Sequence, residues 1–495
     1  MKNWLKIMMM AGVIFLNTWA VHAANPFRQQ RIEGRNPIDV RVNLPVRDAK
    51  TWKAPIPLQQ NAALVNPNNV YFAGAACNDS EFCQILQIDC ITKILYVTTY
   101  QNGQVSNPVP LNPPHEEFYN SMGCWDDPDY STEIYVDKHR NSIIAWTSKT
   151  MPAGANKPHV LISFKRSNDV AWSPPVVLNE GVNNNSDVFP HYIFMHNSKP
   201  PLYTLIVSSE DVGVFSIRCS WDQCDAPIHM ADETDWFSAA LSTRGNLALS
   251  LTRNLYLSNS LGVWEADPLD IQVLVDPNNV GGGFEGLEYH DEDTLLGMVK
   301  SRANRANRNE TVATVRMEED DPVNSAHWLT SLVGEEIEFQ MENAHNDLTY
   351  NLYLINTRDP INRTLFTDSS LFFRTYDGGD DWTNPLLVTQ LQSGSGIAHI
   401  WRIELSANPN ENALMAWGEL ATVGEIYASF YFPKQRNPIT PKVKVIRDDN
   451  PSKRLEFAHL FGNGKAIVIA NTFIFDDQQP VNPMLNHRVL LVEYK

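Results

Sequence analysis

Helical periodicity is nearly absent from this 495-residue chain, which argues against helical bundles and for an all-β fold. Beyond the N-terminal segment no apolar run is long enough to span a bilayer. Positive charge is scarce: 39 Lys and Arg stand against 57 Asp and Glu, a formal net charge of −18. That balance excludes nucleic acid and anionic membranes as expected partners. No Cys-x-x-Cys spacing occurs, so the cysteines do not read as a zinc site, and neither metal nor cofactor is expected.

What is present begins with a secretory-type leader. Lys2 and Lys6 give a basic start, Ile7 to Leu16 an apolar stretch, and Val21-His22-Ala23 a cleavage-like site. An exported protein, secreted or periplasmic, is expected, with no membrane span once residues 1–23 are removed. Setting the two leader lysines aside brings the net charge to about −20. The six cysteines are Cys77, Cys83, Cys90, Cys124, Cys219 and Cys224, an even number that suits disulfides in an oxidising compartment. Cys219 and Cys224 are expected to staple one hairpin, and the other four to tie the start of the chain to its neighbour. The segment Arg28–Lys53 carries Arg28, Arg31, Arg35, Arg41, Arg47, Lys50 and Lys53 against three acids. It reads as an extended arm or tail. The expected organisation is a leader at 1–23, an arm at 24–65 and one large β domain at 66–495.

The most informative motif is Thr375-Tyr376-Asp377-Gly378-Gly379-Asp380-Asp381-Trp382, which has the [S/T]-x-D-x-G-x-x-W form of an Asp-box. The Asp can accept from turn N–H groups, Gly supplies a positive φ, and Trp can plug the base of the turn. Damaged versions stand at Ser167–Trp172 and Ser258–Trp264. Around them recurs a unit of about 40–55 residues, as in propeller blades. Its clearest strands are Ser142–Thr147, Leu202–Val207, Asn246–Leu251, Thr294–Val299, Asn351–Ile355, Ala413–Trp417 and Ala466–Ala470, with a further set at Val70–Ala75, Ile85–Ile88 and Ile94–Thr99. The pattern predicts an all-β fold: a β-propeller of short antiparallel four-stranded blades, six to eight in number with seven favoured. An N-terminal strand is a candidate to complete the last blade.

The Asp-box and the repeats resemble the sialidase superfamily and its BNR-repeat relatives, loosely over residues 130–495 and best over 284–420. The resemblance implies a site at the propeller mouth, three arginines holding a substrate carboxylate, a Tyr–Glu nucleophile pair and an Asp acid/base. Arg253, Arg302 and Arg358 follow second strands at one blade position and are the expected substrate-binding residues. Arg363 reads as a surface residue. The family's first arginine is not carried over, since Gln30-Arg31-Ile32-Glu33 lacks its aromatic and proline. His399 stands where the nucleophilic Tyr is expected. Glu419 resembles a family glutamate, and with His399 and Glu288 it makes up the expected catalytic set. Asp126, Asp127 and Asp129 are acid/base candidates by position only.

His191, His345, His399 and His459 are each expected to begin the first strand of a unit. They read as strand caps rather than metal ligands. Asn78, Asn184, Asn309 and Asn362 head Asn-x-Ser/Thr triplets, which matter only in a glycosylating host. Trp125, Trp146, Trp236, Trp401 and Trp417 read as blade core. The expected function is action on, or binding of, a glycan or acidic sugar, by a diverged exo-glycosidase or a non-catalytic sugar binder. The alternative is a protein-interaction propeller without catalysis, with a protein partner.

Overall fold

A computed structural model describes residues 51–58, 70–89, 92–111, 132–148, 159–178, 188–196, 198, 201–209, 212–221, 223–232, 237–251, 254–265, 267–271, 284–302, 310–344, 347–358, 366–392, 399–420, 424–447, 452–475 and 484–495. These residues form eight antiparallel sheets arranged as a propeller ring, each built on a path of four strands. No helix long and apolar enough to cross a membrane occurs among them. The count lies one above the favoured seven, because the N-terminal strand set is a full blade of its own.

The first strands are Val70–Asn78, Thr132–Val136, Val188–His196, Phe237–Leu241, Phe284–Tyr289, Glu336–Asn343, His399–Ala407 and Ser452–Leu460, one for each of blades 1 to 8. Neighbouring first strands touch around most of the ring, so they form the wall of a central channel. The second strands are the apolar runs picked out in the sequence. Ser142–Ser148 is buried at every residue, because a neighbouring blade covers each face.

The ring closes with a strand from outside the expected blade region. Ile56–Pro57 pairs with Leu490–Leu491 at the edge of blade 8. Lys53 N–H donates to the Glu493 carbonyl at 2.8 Å, and Trp52 packs on Tyr494 at 5.2 Å between ring centroids. Blade 8 meets blade 1 through the buried Ile467, Ile469, Val489 and Leu491 against Phe72 and Ile85.

The turn at Thr375–Trp382 joins the third and fourth strands of blade 6, Phe366–Tyr376 and Leu386–Gln392. Asp377 Oδ1 accepts from Gly379 N–H, and Gly378 has φ +83°. Trp382 is buried against Tyr376, Leu296 and Leu329, so the plug also seals blade 6 to blade 5. The buried Arg374 lies 4.4 Å from the Trp382 ring centroid and donates to Asn351 Oδ1. In the damaged version of blade 4, Asn259 does the work of the missing Asp, accepting from Leu261 and Val263 N–H. A weaker repeat runs through more blades. Just past the same turn, the hydroxyls of Ser106, Ser173, Ser325, Thr383 and Thr440 accept from the third-strand N–H groups of Thr99, Phe164, Glu318, Thr375 and Phe430.

Cys219–Cys224 is a disulfide that closes the same kind of turn in blade 3. Cys77–Cys83 is a second disulfide within the first hairpin of blade 1. That pair stays inside one blade, which corrects the expectation that it would tie to a neighbour. Cys90 and Cys124 lie outside the described residues.

Candidate functional site

The first strands do not alternate evenly. Five carry a β-bulge, whose extra residue is Ala73, His191, Glu285, Arg402 or Glu456. Four of these five residues are polar or charged. A bulge gives one strand two residues against one on its partner and re-aims a side chain, a device common beside functional sites. The sequence signal is a buried residue repeated at i and i+3 within a strand, with two residues between. It occurs as Phe284-Glu-Gly-Leu287, Ile400-Trp-Arg-Ile403 and Leu455-Glu-Phe-Ala458. Reading for uniform alternation passes over it.

The bulged residues build a charged network toward the end where the first strands begin. Arg402 lies between Glu404 at 3.9 Å and Glu456 at 3.5 Å. Arg454 reaches Glu456 at 3.3 Å, and Asn471 Nδ2 donates to the same carboxylate at 2.7 Å. Glu285 and Lys300 stand 3.9 Å apart with little exposure. Blade 6 supports the first strand of blade 7 from the side. Glu338 Oε1 accepts from Ile403 N–H at 3.1 Å, and Gln340 Oε1 from Leu405 N–H at 2.6 Å. Burial raises the Glu338 carboxyl, and the Ile403 N–H and Arg402 oppose that shift.

Below this network the channel holds a cavity of about 440 Å³. Phe339, Phe457 and Tyr192 bring aromatic surface to it, and Glu285, Glu342, Glu404, Gln340, Ser238, Ser406 and His459 bring polar groups. Two carboxyls here are displaced upward. Burial pushes Glu342 up to about 8, with the charge of Asp79 adding to it. Burial also lifts Glu288 well above the carboxylate range, with Glu342 as the second cause. His459 is pushed down to about 4 by burial.

The residues singled out in the sequence are spread around this centre. Glu288 lies on the first strand of blade 5 within electrostatic reach of Glu342. His399 opens the first strand of blade 7, its ring 4.5 Å from that of Phe366. Arg358 ends the second strand of blade 6, donates to Glu336 Oε2 through Nε at 2.7 Å, and lies 4.8 Å from the Phe366 ring centroid. Phe366 therefore sits between Arg358 and His399 and brings those two together. Glu419 is elsewhere: its buried carboxylate accepts from Trp417 Nε1 at 2.9 Å and Lys442 Nζ at 2.8 Å. It is not part of the cavity wall. Arg253, Arg363, Asp126, Asp127, Asp129 and His345 lie outside the described residues, as does the side chain of Arg302.

The histidines do not share one position. His399 begins its strand, His191 is the bulge residue of blade 3 and accepts or donates at Ser208 Oγ (2.6 Å), and His459 falls at the far end of its strand. They sit at different heights in the channel because the bulges and strand lengths differ from blade to blade. Among the described residues no group of three or more His, Cys, Asp or Glu is placed to hold a metal ion.

No protein-family model and no curated protein matches this chain. Solved structures similar to it include a polysaccharide lyase, an ulvan lyase of a new family bound to a GlcA–Rha3S ligand. That likeness has 11% identity, 76% of this chain and 93% of that one covered, and a TM-score of 0.42. The leech intramolecular trans-sialidase is similar at 9% identity, with 90% and 97% covered and a TM-score of 0.35. Extracellular domains 1–2 of Drosophila Semaphorin 1a are similar at 9% identity, with 74% and 86% covered and a TM-score of 0.41. Likenesses this distant carry nothing about what the present chain binds.

Proposed function

We propose that this is an exported glycan-directed propeller, either a diverged exo-glycosidase or a non-catalytic sugar binder, whose site is the central channel. The observation that carries the reading is the cavity wall. Aromatic surface from three blades offers stacking area for sugar C–H faces, and carboxylates, an amide and hydroxyls offer partners for sugar hydroxyls. Two described disulfides and the leader-like N-terminus support export.

For turnover, Glu419, His399 and Glu288 are the proposed catalytic residues, and Arg253, Arg302 and Arg358 the proposed contacts to an acidic sugar. A glycan array probed with the mature protein, beside Phe339→Ala and Glu404→Gln, tests the binding reading. A defined glycan signal reduced in both variants supports it, and a silent array counts against it. Hydrolysis of a fluorogenic sialoside, with Glu419→Gln and Arg302→Ala alongside, tests the sialidase-like reading. Loss of turnover in both supports it, and an inactive wild type removes it.

One observation favours a second reading. Leu386 and Leu387 are exposed on Leu386–Gln392, a seven-residue outermost strand whose free edge suits strand addition by a protein partner.

A further inference from the structure

The charged residues in the cavity wall are Glu285, Glu342 and Glu404, with His459, and no lysine or arginine lines it among the described residues. Glu285 and Glu404 have cationic neighbours in Lys300 and Arg402. Glu342 has none. No hydrogen bond or ion pair reaches its carboxyl within the described residues, and its recorded electrostatic neighbours are the acids Asp79 and Glu288. A carboxyl deep in a channel, without a partner and bordering a cavity, is an unmet demand for positive charge. Among the described residues no set of three ligating side chains is assembled here to hold a compact metal ion. A carboxylated ligand would find no lysine or arginine in the described cavity wall. The aromatic residues Phe339, Phe457 and Tyr192 share the wall, and aromatic surface beside a carboxyl is the chemistry that recognises an organic ammonium group.

We propose that the channel cavity binds a protonated amine with Glu342 as its counter-ion and, resting on the glycan reading above, that the ligand is an amino sugar with its amine unacylated. The groups facing Glu342 are Glu285 and Glu288 from blade 5, Asp79 from blade 1, Glu404 from blade 7 and His459 from blade 8. His459 is held neutral at pH 7 and supplies no charge. In the free protein burial keeps Glu342 largely protonated at pH 7. An arriving ammonium ion favours the carboxylate, so binding releases a proton.

Titration calorimetry at pH 7 tests this with the glucosamine tetramer, the N-acetylglucosamine tetramer and 3′-sialyllactose, each in phosphate and in Tris. The glucosamine tetramer is expected to bind about 10-fold or more tightly than the acetylated one. Its apparent heat should differ between the two buffers by the difference in their ionisation heats, multiplied by the protons released. Glu342→Gln, an isosteric change checked by thermal unfolding, should abolish both the preference and the buffer dependence. The buffer comparison needs no variant, so it stands even if the substitution disturbs folding. Equal binding of both tetramers without buffer dependence overturns the amine assignment and leaves the glycan reading intact, as does an array signal confined to acidic or acetylated sugars. No binding of any of the three, with a silent array, overturns both.

Discussion

The two ends of the channel are built on different principles. At the end where first strands turn into second strands, short turns are capped locally and stitched to the next blade. Asp137 Oδ1 accepts from His139 and Asn141 N–H, and Asn408 Oδ1 from Asn410 and Asn412 N–H. Asn78 Nδ2 donates to the Asp137 carbonyl, Asn408 Nδ2 to the Phe461 carbonyl, and His196 Nδ1 pairs with the Gly245 carbonyl, each crossing a blade seam. His290 Nδ1 meets Thr349 Oγ1 of the next blade in the same way. Toward the other end, side chains spend their hydrogen bonds on one another around the bulges, and acids outnumber cations. A tight polar seam stabilises the ring and leaves little capacity for a ligand. The bulged, acidic half pairs its carboxyls with Lys300, Arg402 and Arg454, and the unpartnered Glu342 stands one residue from the turn end of its strand.

The largest test of this contrast is Trp382→Ala. It removes a buried indole from the blade 5–blade 6 seam and should cost about 3–5 kcal/mol in urea unfolding. Glycan binding by the folded fraction should be unchanged. A small loss, under about 1 kcal/mol, would show that the plug is not a seam element.

The next test uses pH, because the buried histidines and the raised carboxyls titrate in opposite senses. Burial lowers His196, His290 and His459, so these groups are neutral when folded and gain protons on unfolding. The stability they contribute is present above the ordinary histidine pKa and is lost as pH falls through their lowered folded values, about 4 for His459. Glu342 and Glu288 are raised, so their protonated folded forms stabilise at low pH, and that contribution is lost as pH rises from the ordinary carboxylate range through their raised folded values, about 8 for Glu342. Thermal unfolding of Glu342→Gln should therefore gain on the wild type between pH 5 and 8. A constant offset across that window would contradict the assignment.

Asn408→Ala removes both a turn cap and a seam bond and should cost about 1–2 kcal/mol, again without an effect on binding. The smallest stability effect is expected from Arg358→Ala, under about 1 kcal/mol, since its ion pair with Glu336 is partly exposed. Impaired glycan binding in that variant would extend the site to the Phe366 rim, while unchanged binding would confine it to the cavity.

Much of the ring could be read from residue order because its information is local. The second strands announce themselves as apolar β-branched runs, and the Asp-box of blade 6 is written in eight consecutive residues. The Ser/Thr hydroxyls past the outer turns were harder to see, since their distance from the third-strand partner varies from 7 to 10 residues. The candidate site was less legible still. Glu342 looks like one more polar residue on an exposed strand face, and Glu404 and Glu456 look like surface charges.

By itself, then, the sequence determined an all-β propeller of six to eight blades, a hairpin disulfide at Cys219–Cys224 and a tight turn at Thr375–Trp382 between outer strands. Each depends on neighbours within a few residues or on a repeated pattern. Only the tertiary structure decided that there are eight blades, that Ile56–Pro57 closes the ring, and which residues face one another across the axis. Glu342 and Asp79 are 263 positions apart in the chain and come within electrostatic reach because ring closure brings blade 6 and blade 1 to the same channel. Burial in that shared space sets the protonation of Glu342, and residue order carries no record of it.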